Sequence, residues 1–118
     1  MRAMRLVAAA IAVLVSINAA FAADLGGYYG GSCTLAQQSN ILTLPAEEIE
    51  PLVHEYFEEA RATLKEDSVI YSRRPAFVWA GEARFQCGKA AGYFGTGHLD
   101  EESVQKCDCF YRRMISYR

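Results

Sequence analysis

Positive charge is not in surplus: twelve Lys and Arg stand against fourteen Asp and Glu, a formal net charge of −2. A surface that tracks phosphates needs the opposite balance, so no nucleic-acid partner is expected. No serine lies in a nucleophile elbow, and only two histidines, His54 and His98, are present. Without a nucleophile, a base and an orienting group in one pattern, the chain reads as non-catalytic, with no cofactor and no metal expected. There is no internal repeat. The one long apolar run, Leu6 to Ile17, falls short of the roughly 20 residues that a membrane span needs.

What is present begins with a three-part export pattern. Arg2 and Arg5 give a charged start, Leu6 to Ile17 an apolar middle, and Ala20-Phe21-Ala22 a small-x-small cleavage site. Residues 1–22 are therefore expected to be a signal peptide cut after Ala22, leaving a periplasmic or secreted protein with no stable membrane insertion. Of the 118 residues, removal of 22 leaves 96, and it takes away two arginines and no acid, so the balance moves to −4. A domain of that size has a modest core, and cross-links matter to it. Cys33, Cys87, Cys107 and Cys109 form an even set in an exported chain, the setting in which thiols oxidise to structural pairs.

The expected architecture is all-α: a small three-helix domain over residues 45–118, preceded by a glycine-rich N-terminal arm over 23–44 and stapled by two disulfides. Asp24 to Gly31 is too rich in glycine for a regular element, and a short helical turn is expected around Thr34 to Gln38. Ile49, Leu52, Val53, Tyr56, Phe57, Ala60 and Leu64 recur at helical spacing, opposite Glu55, Glu58, Glu59, Arg61, Lys65 and Glu66. Thr43 is the candidate cap of this helix, and Pro51 predicts either a kink or a start near Glu50. A second helix runs from Pro75 to about Phe94. It is apolar on two sides, Phe77, Val78, Gly81, Phe85, Gly88 and Gly92 on one, Ala80, Ala83, Cys87, Ala90, Ala91 and Phe94 on the other, and is expected to be the central helix. After Gly95-Thr96-Gly97, Asp100 caps a third helix, with Leu99 and Val104 at staple positions and Val104, Cys107, Tyr111, Met114 and Ile115 as the inner stripe.

That hairpin constrains the cysteines. Cys87 lies eight residues before Gly95 and Cys107 seven after Asp100, which brings the two level on facing stripes of antiparallel helices. Cys109, roughly 200° round from Cys107 on the helix, is then left to pair with Cys33 of the arm. The alternative is Cys33 with Cys107 and Cys87 with Cys109.

Three patterns carry possible chemistry. Cys107-Asp108-Cys109, with Met114 nearby, has the softness for a copper(I) site or a thiol-redox pair, against two structural half-cystines. Aligning Gly97 with the glycine of a calcium helix-loop-helix puts Gly92, Phe94 and Ser103 where carboxylates are required, so that reading fails. His54 and Glu58 are one turn apart, a spacing that also arises freely on a solvated face. The remaining asymmetry is charge: eight of fourteen acids fall between Glu47 and Asp67, while Arg112, Arg113 and Arg118 make the C-terminus basic. The expectation is a protein-binding factor of the inhibitor, immunity or accessory kind, presenting Glu55, Glu58 and Glu59 to an extracytoplasmic partner. Tyr28 and Tyr29 on the arm are its candidate anchors.

Overall fold

The computed structural model describes Cys33 and residues 36–118. The signal peptide and most of the arm, Tyr28 and Tyr29 included, lie outside the described residues. Those that are described form a small all-α domain: two single 3-10 turns, Ala36–Gln38 and Ile41–Thr43, then helices α1 (Ala46–Thr63), α2 (Asp67–Ile70), α3 (Ala76–Gly95) and α4 (Glu101–Tyr117). No helix among the described residues is long and apolar enough to cross a membrane.

Helix α1 starts earlier than its proline suggests. Pro45 occupies the cap position and its carbonyl accepts from the Glu48 N–H at 2.9 Å, while the Thr43 hydroxyl turns back onto the Asn40 carbonyl and caps nothing. Pro51 sits in the second turn and gives up the bond its N–H would make to the Glu47 carbonyl, yet the helix runs through it. The periodic residues of α1 face inward, with Ile49, Val53 and Ala60 buried. The connection after α1 holds the one-turn helix α2, whose Val69 is buried and anchors the crossing.

Helix α3 packs on α4 through small residues. Ala76, Ala80, Ala83, Cys87 and Ala90 recur at four and three and are all buried, so the two backbones approach closely. Cys87 and Cys107 have Cα atoms 4.6 Å apart and are joined by a disulfide across this seam; a second disulfide joins Cys33 to Cys109 with Cα atoms 6.1 Å apart. Each bond belongs to its own buried cluster. One gathers Ala60, Ala80, Ala83, Phe110 and Met114 about Cys33–Cys109, and the other gathers Ile41, Ile49, Val53, Ala90 and Val104 about Cys87–Cys107.

The turn into α4 follows its local chemistry. Asp100 Oδ2 accepts from the Ser103 N–H at 3.1 Å; the Ser103 side chain first, and this backbone bond after it, hold the Asp100 carboxyl below the ordinary carboxylate range, and Gly97 takes the left-handed conformation (φ 74°) that the turn needs. Leu99 and Val104 pack in the same cluster, as a staple does.

Helix α3 is central in the sense expected, packed along both α1 and α4, which meet each other far less, but the deepest burial lies in the middle of α4. Cys107, Asp108, Cys109 and Phe110 are four consecutive buried residues, a full circuit of the helix, because α1 and α3 cover one side and the two 3-10 turns cross the other. Ile115, expected on the inner stripe, is exposed, and Phe110 takes its place in the core. Helix α3 buries only its alanine side. Phe77, Val78 and Phe85 remain exposed because no described element packs over them.

Candidate interaction surface

The acidic face of α1 is narrower than its sequence suggests. Glu55 and Glu58 are exposed, but Glu58 takes both of its contacts from the Arg61 guanidinium, at 3.0 and 3.1 Å. Glu59 is half-buried and turns inward, accepting a hydrogen bond from the Tyr111 hydroxyl of α4. Burial, and then that bond, push the Tyr111 phenol well above its ordinary value, and its ring stacks on Tyr56 with centroids 3.7 Å apart. Glu66, read as part of the same solvated face, is half-buried and accepts from Arg118. Glu59 and Glu66 thus tie α1 and its following turn to α4, and the outward carboxylates of the helix are Glu47, Glu48, Glu50, Glu55 and the Arg61-paired Glu58.

A different surface is left open on α3. Phe77, Gly81, Phe85, Gly88 and Gly92 lie along one line of that helix, and Phe85 is 63% exposed. A Cβ on Gly81 or Gly92 would meet nothing within 4 Å. Beside this line runs a groove of about 420 Å³ between α1 and α3, lined by Phe57, Arg61, Arg84, Phe85, Gly88 and Lys89. Gly88 creates its floor: a Cβ there would lie 3.1 Å from Phe57 Cε2, so only glycine lets the ring sit this close without a shift. Arg61 lies over the Phe57 ring at 5.7 Å. Arg84 and Lys89 form no ion pair among the described residues, and Arg73 and Arg74 precede the helix. Against them the helix carries one acid, the half-buried Glu82. The surface is therefore aromatic at its centre and cationic at its rim. Its signal in the sequence was the second apolar line of α3, assigned to the core because periodicity does not say whether a partner element exists.

The Cys107-Asp108-Cys109 segment holds an unexpected site at its middle residue. Both cysteines are committed to disulfides, so neither offers a thiolate in this oxidised form, and Met114 is sealed in the core. Asp108 is 1% exposed. Its carboxylate accepts from Ser39 Oγ at 2.5 Å and from Arg112 Nε at 2.9 and 3.1 Å, which raises the Arg112 pKa further. The Ser39 hydroxyl also accepts from the Ile41 N–H at 3.3 Å, so this carboxylate ties the 3-10 segment to α4. The spacing of Asp108 and Arg112 by four residues was visible in the sequence; the serine, 69 positions away, was not.

The histidines separate. His54 lies 3.9 Å from Glu50 rather than meeting Glu58, and His98 sets its ring edge-on to Tyr93 at 5.5 Å. No group of three or more metal-type side chains is gathered among the described residues. No family model, curated protein or solved structure matches this chain.

Proposed function

We propose that this protein is an exported, non-catalytic binding factor of the inhibitor, immunity or accessory kind, and that it holds its partner in the groove between α1 and α3. The observation that carries the reading is the aromatic floor of Phe57 and Phe85 inside a rim of Arg61, Arg84 and Lys89. Exposed aromatic rings in a concave site are the usual anchors of protein interfaces, and a cationic rim selects and steers an acidic partner. The occupant is a segment of an extracytoplasmic protein with one or two apolar side chains flanked by carboxylates. Two disulfides in so small a domain support the oxidising compartment that the export pattern predicts.

Charge argues against a second copy: docked by the same face it would set Arg84 and Lys89 against their own counterparts, and docked by α1 it would offer acids without apolar anchors, since those side chains are turned inward. The test places a photo-crosslinking benzoylphenylalanine at position 85 of the full chain, expressed in the parent cell. The reading requires crosslinks to a protein segment bearing acids next to an apolar anchor, lost in the Arg84→Glu, Lys89→Glu variant. Crosslinks only to lipid, only to a second copy, or to nothing overturn it.

A further inference from the structure

A second cleft, remote in composition from the groove, lies between the 3-10 segment and α4. It encloses about 300 Å³ and is lined by Gln38, Ser39, Asn40, Asp108, Cys109, Arg112, Arg113 and Ser116. Its three charges are Asp108, Arg112 and Arg113, so it carries one net positive charge.

Both guanidiniums are held before any ligand arrives. Asp108 grips Arg112 by its Nε edge alone, through both carboxylate oxygens. The two Nη groups of Arg112 therefore keep four N–H donors, none with an acceptor among the described residues, on a side chain that is 68% exposed. Arg113 is held differently: its guanidinium lies over the Trp79 ring at 4.8 Å and forms no ion pair among the described residues. The Trp79 ring in turn stacks on buried Phe110, with centroids 5.9 Å apart, which fixes the platform to the core. Gln38, Asn40 and Ser116 surround the pair with neutral side chains that both donate and accept.

From this geometry we infer that the cleft binds a single carboxylate on the free Nη edge of Arg112, with Arg113 adding positive charge at the cleft wall and the amides of Gln38 and Asn40 reading the group attached to it. The buried Asp108 sets the choice. One of the two positive charges is already neutralised by it, so a monoanion brings the cleft to zero, whereas a phosphate dianion leaves an excess negative charge beside a carboxylate that has no access to water. Planar guanidinium donors match the planar carboxylate in bidentate fashion, and their immobilisation removes much of the ordering cost of binding. A small organic acid and the C-terminal carboxylate of a peptide chain share this chemistry.

Side-chain and backbone N–H spectra of the mature full chain test it, with four probes titrated separately: acetate, a tetrapeptide with a free C-terminus, the same tetrapeptide amidated, and inorganic phosphate. The free carboxylates are expected to give saturable shifts at the Arg112 and Arg113 Nε–H and at the Gln38 and Asn40 amides. Amidation is expected to weaken binding by about tenfold or more, the loss of a charge-assisted bidentate contact. Tighter binding of the free tetrapeptide than of acetate assigns a chain terminus as the source, and the reverse order assigns a small acid. Arg113→Gln, which leaves the Asp108–Arg112 pair intact, is expected to weaken acetate binding to a similar degree. Shifts that rise linearly without saturating, equal binding of the amidated peptide, or tighter binding of phosphate than of acetate would overturn the assignment.

Discussion

Replacement of Gly88 by alanine probes the floor of the groove, and the outcome follows from two opposed terms. Alanine in a helix interior is favoured over glycine by about 0.8–1.0 kcal/mol. At Gly81 and Gly92 nothing lies within 4 Å of the added methyl, so Gly81→Ala and Gly92→Ala are each expected to stabilise the domain by close to that amount. At Gly88 the methyl would stand 3.1, 3.5 and 3.9 Å from three carbons of the Phe57 ring, and the ring must retreat by a few tenths of an ångström. Phe57 is half-buried with the open groove beside it, so it is able to give, at a cost of about 1 kcal/mol, the low end for overpacking. Gly88→Ala is then nearly neutral, about 1 kcal/mol below its two neighbours. Urea denaturation followed by far-ultraviolet circular dichroism measures all three, with the slope checked for constancy. In a Phe57→Leu background the penalty should vanish and Gly88→Ala should recover the full propensity gain. The reasoning is refuted if Gly88→Ala stabilises as much as Gly81→Ala, or if the Phe57→Leu background leaves its deficit unchanged.

Three further outcomes test the rest of the domain. The disulfides close loops of different length, 20 residues for Cys87–Cys107 and 76 for Cys33–Cys109, worth about 3.3 and about 4.5 kcal/mol by loop entropy; in paired Cys→Ala variants the urea midpoint should fall further for the longer loop, and equal midpoints would contradict this. Asp108→Ala removes all three bonds of a buried carboxylate and should cost about 3 kcal/mol, Ser39→Ala only about 1, with hydrogen exchange at residues 39–43 accelerating in both; unchanged exchange there would break the proposed link. Asp100 has its pKa lowered by its hydrogen bond from Ser103, so its stabilisation is present above the unfolded value of 3.8 and is lost as pH falls through the lower folded one. Asp100→Asn, which keeps the capping oxygen but does not titrate, should therefore flatten the acid limb of a thermal melt series below about pH 4, and an unaltered limb would rule that out.

Several features of the fold were legible because their causes are local. The inward stripe of α1 follows from apolar residues at three and four, and the start of α4 follows from Asp100 with Ser103 three residues on. The Cys87–Cys107 bond follows from counting residues to either side of one short turn. Glu59 and Asp108 were not legible. Nothing within a turn of either residue announces that Tyr111 or Ser39 will meet it, since those partners stand 52 and 69 positions away. Pro51 left two starts open, and the helix runs through it from Ala46, a start set by Pro45 and the turn before it.

The amino-acid sequence by itself determined that this chain makes helices, where a glycine turn breaks them, and which cysteines could lie level. These are properties of residues a few positions apart, and a 3.6-residue repeat encodes them. Only the tertiary structure decided which apolar faces find a partner. Residues 36–43 cross the back of α4, drawn there by Cys33 and Ser39, so the middle of α4 is covered on both sides and Asp108 is buried. Helix α3, equally apolar in sequence, has no element left to cover its second face. Periodicity reports that a face is apolar; the topology of distant segments decides whether it becomes core or exposed surface.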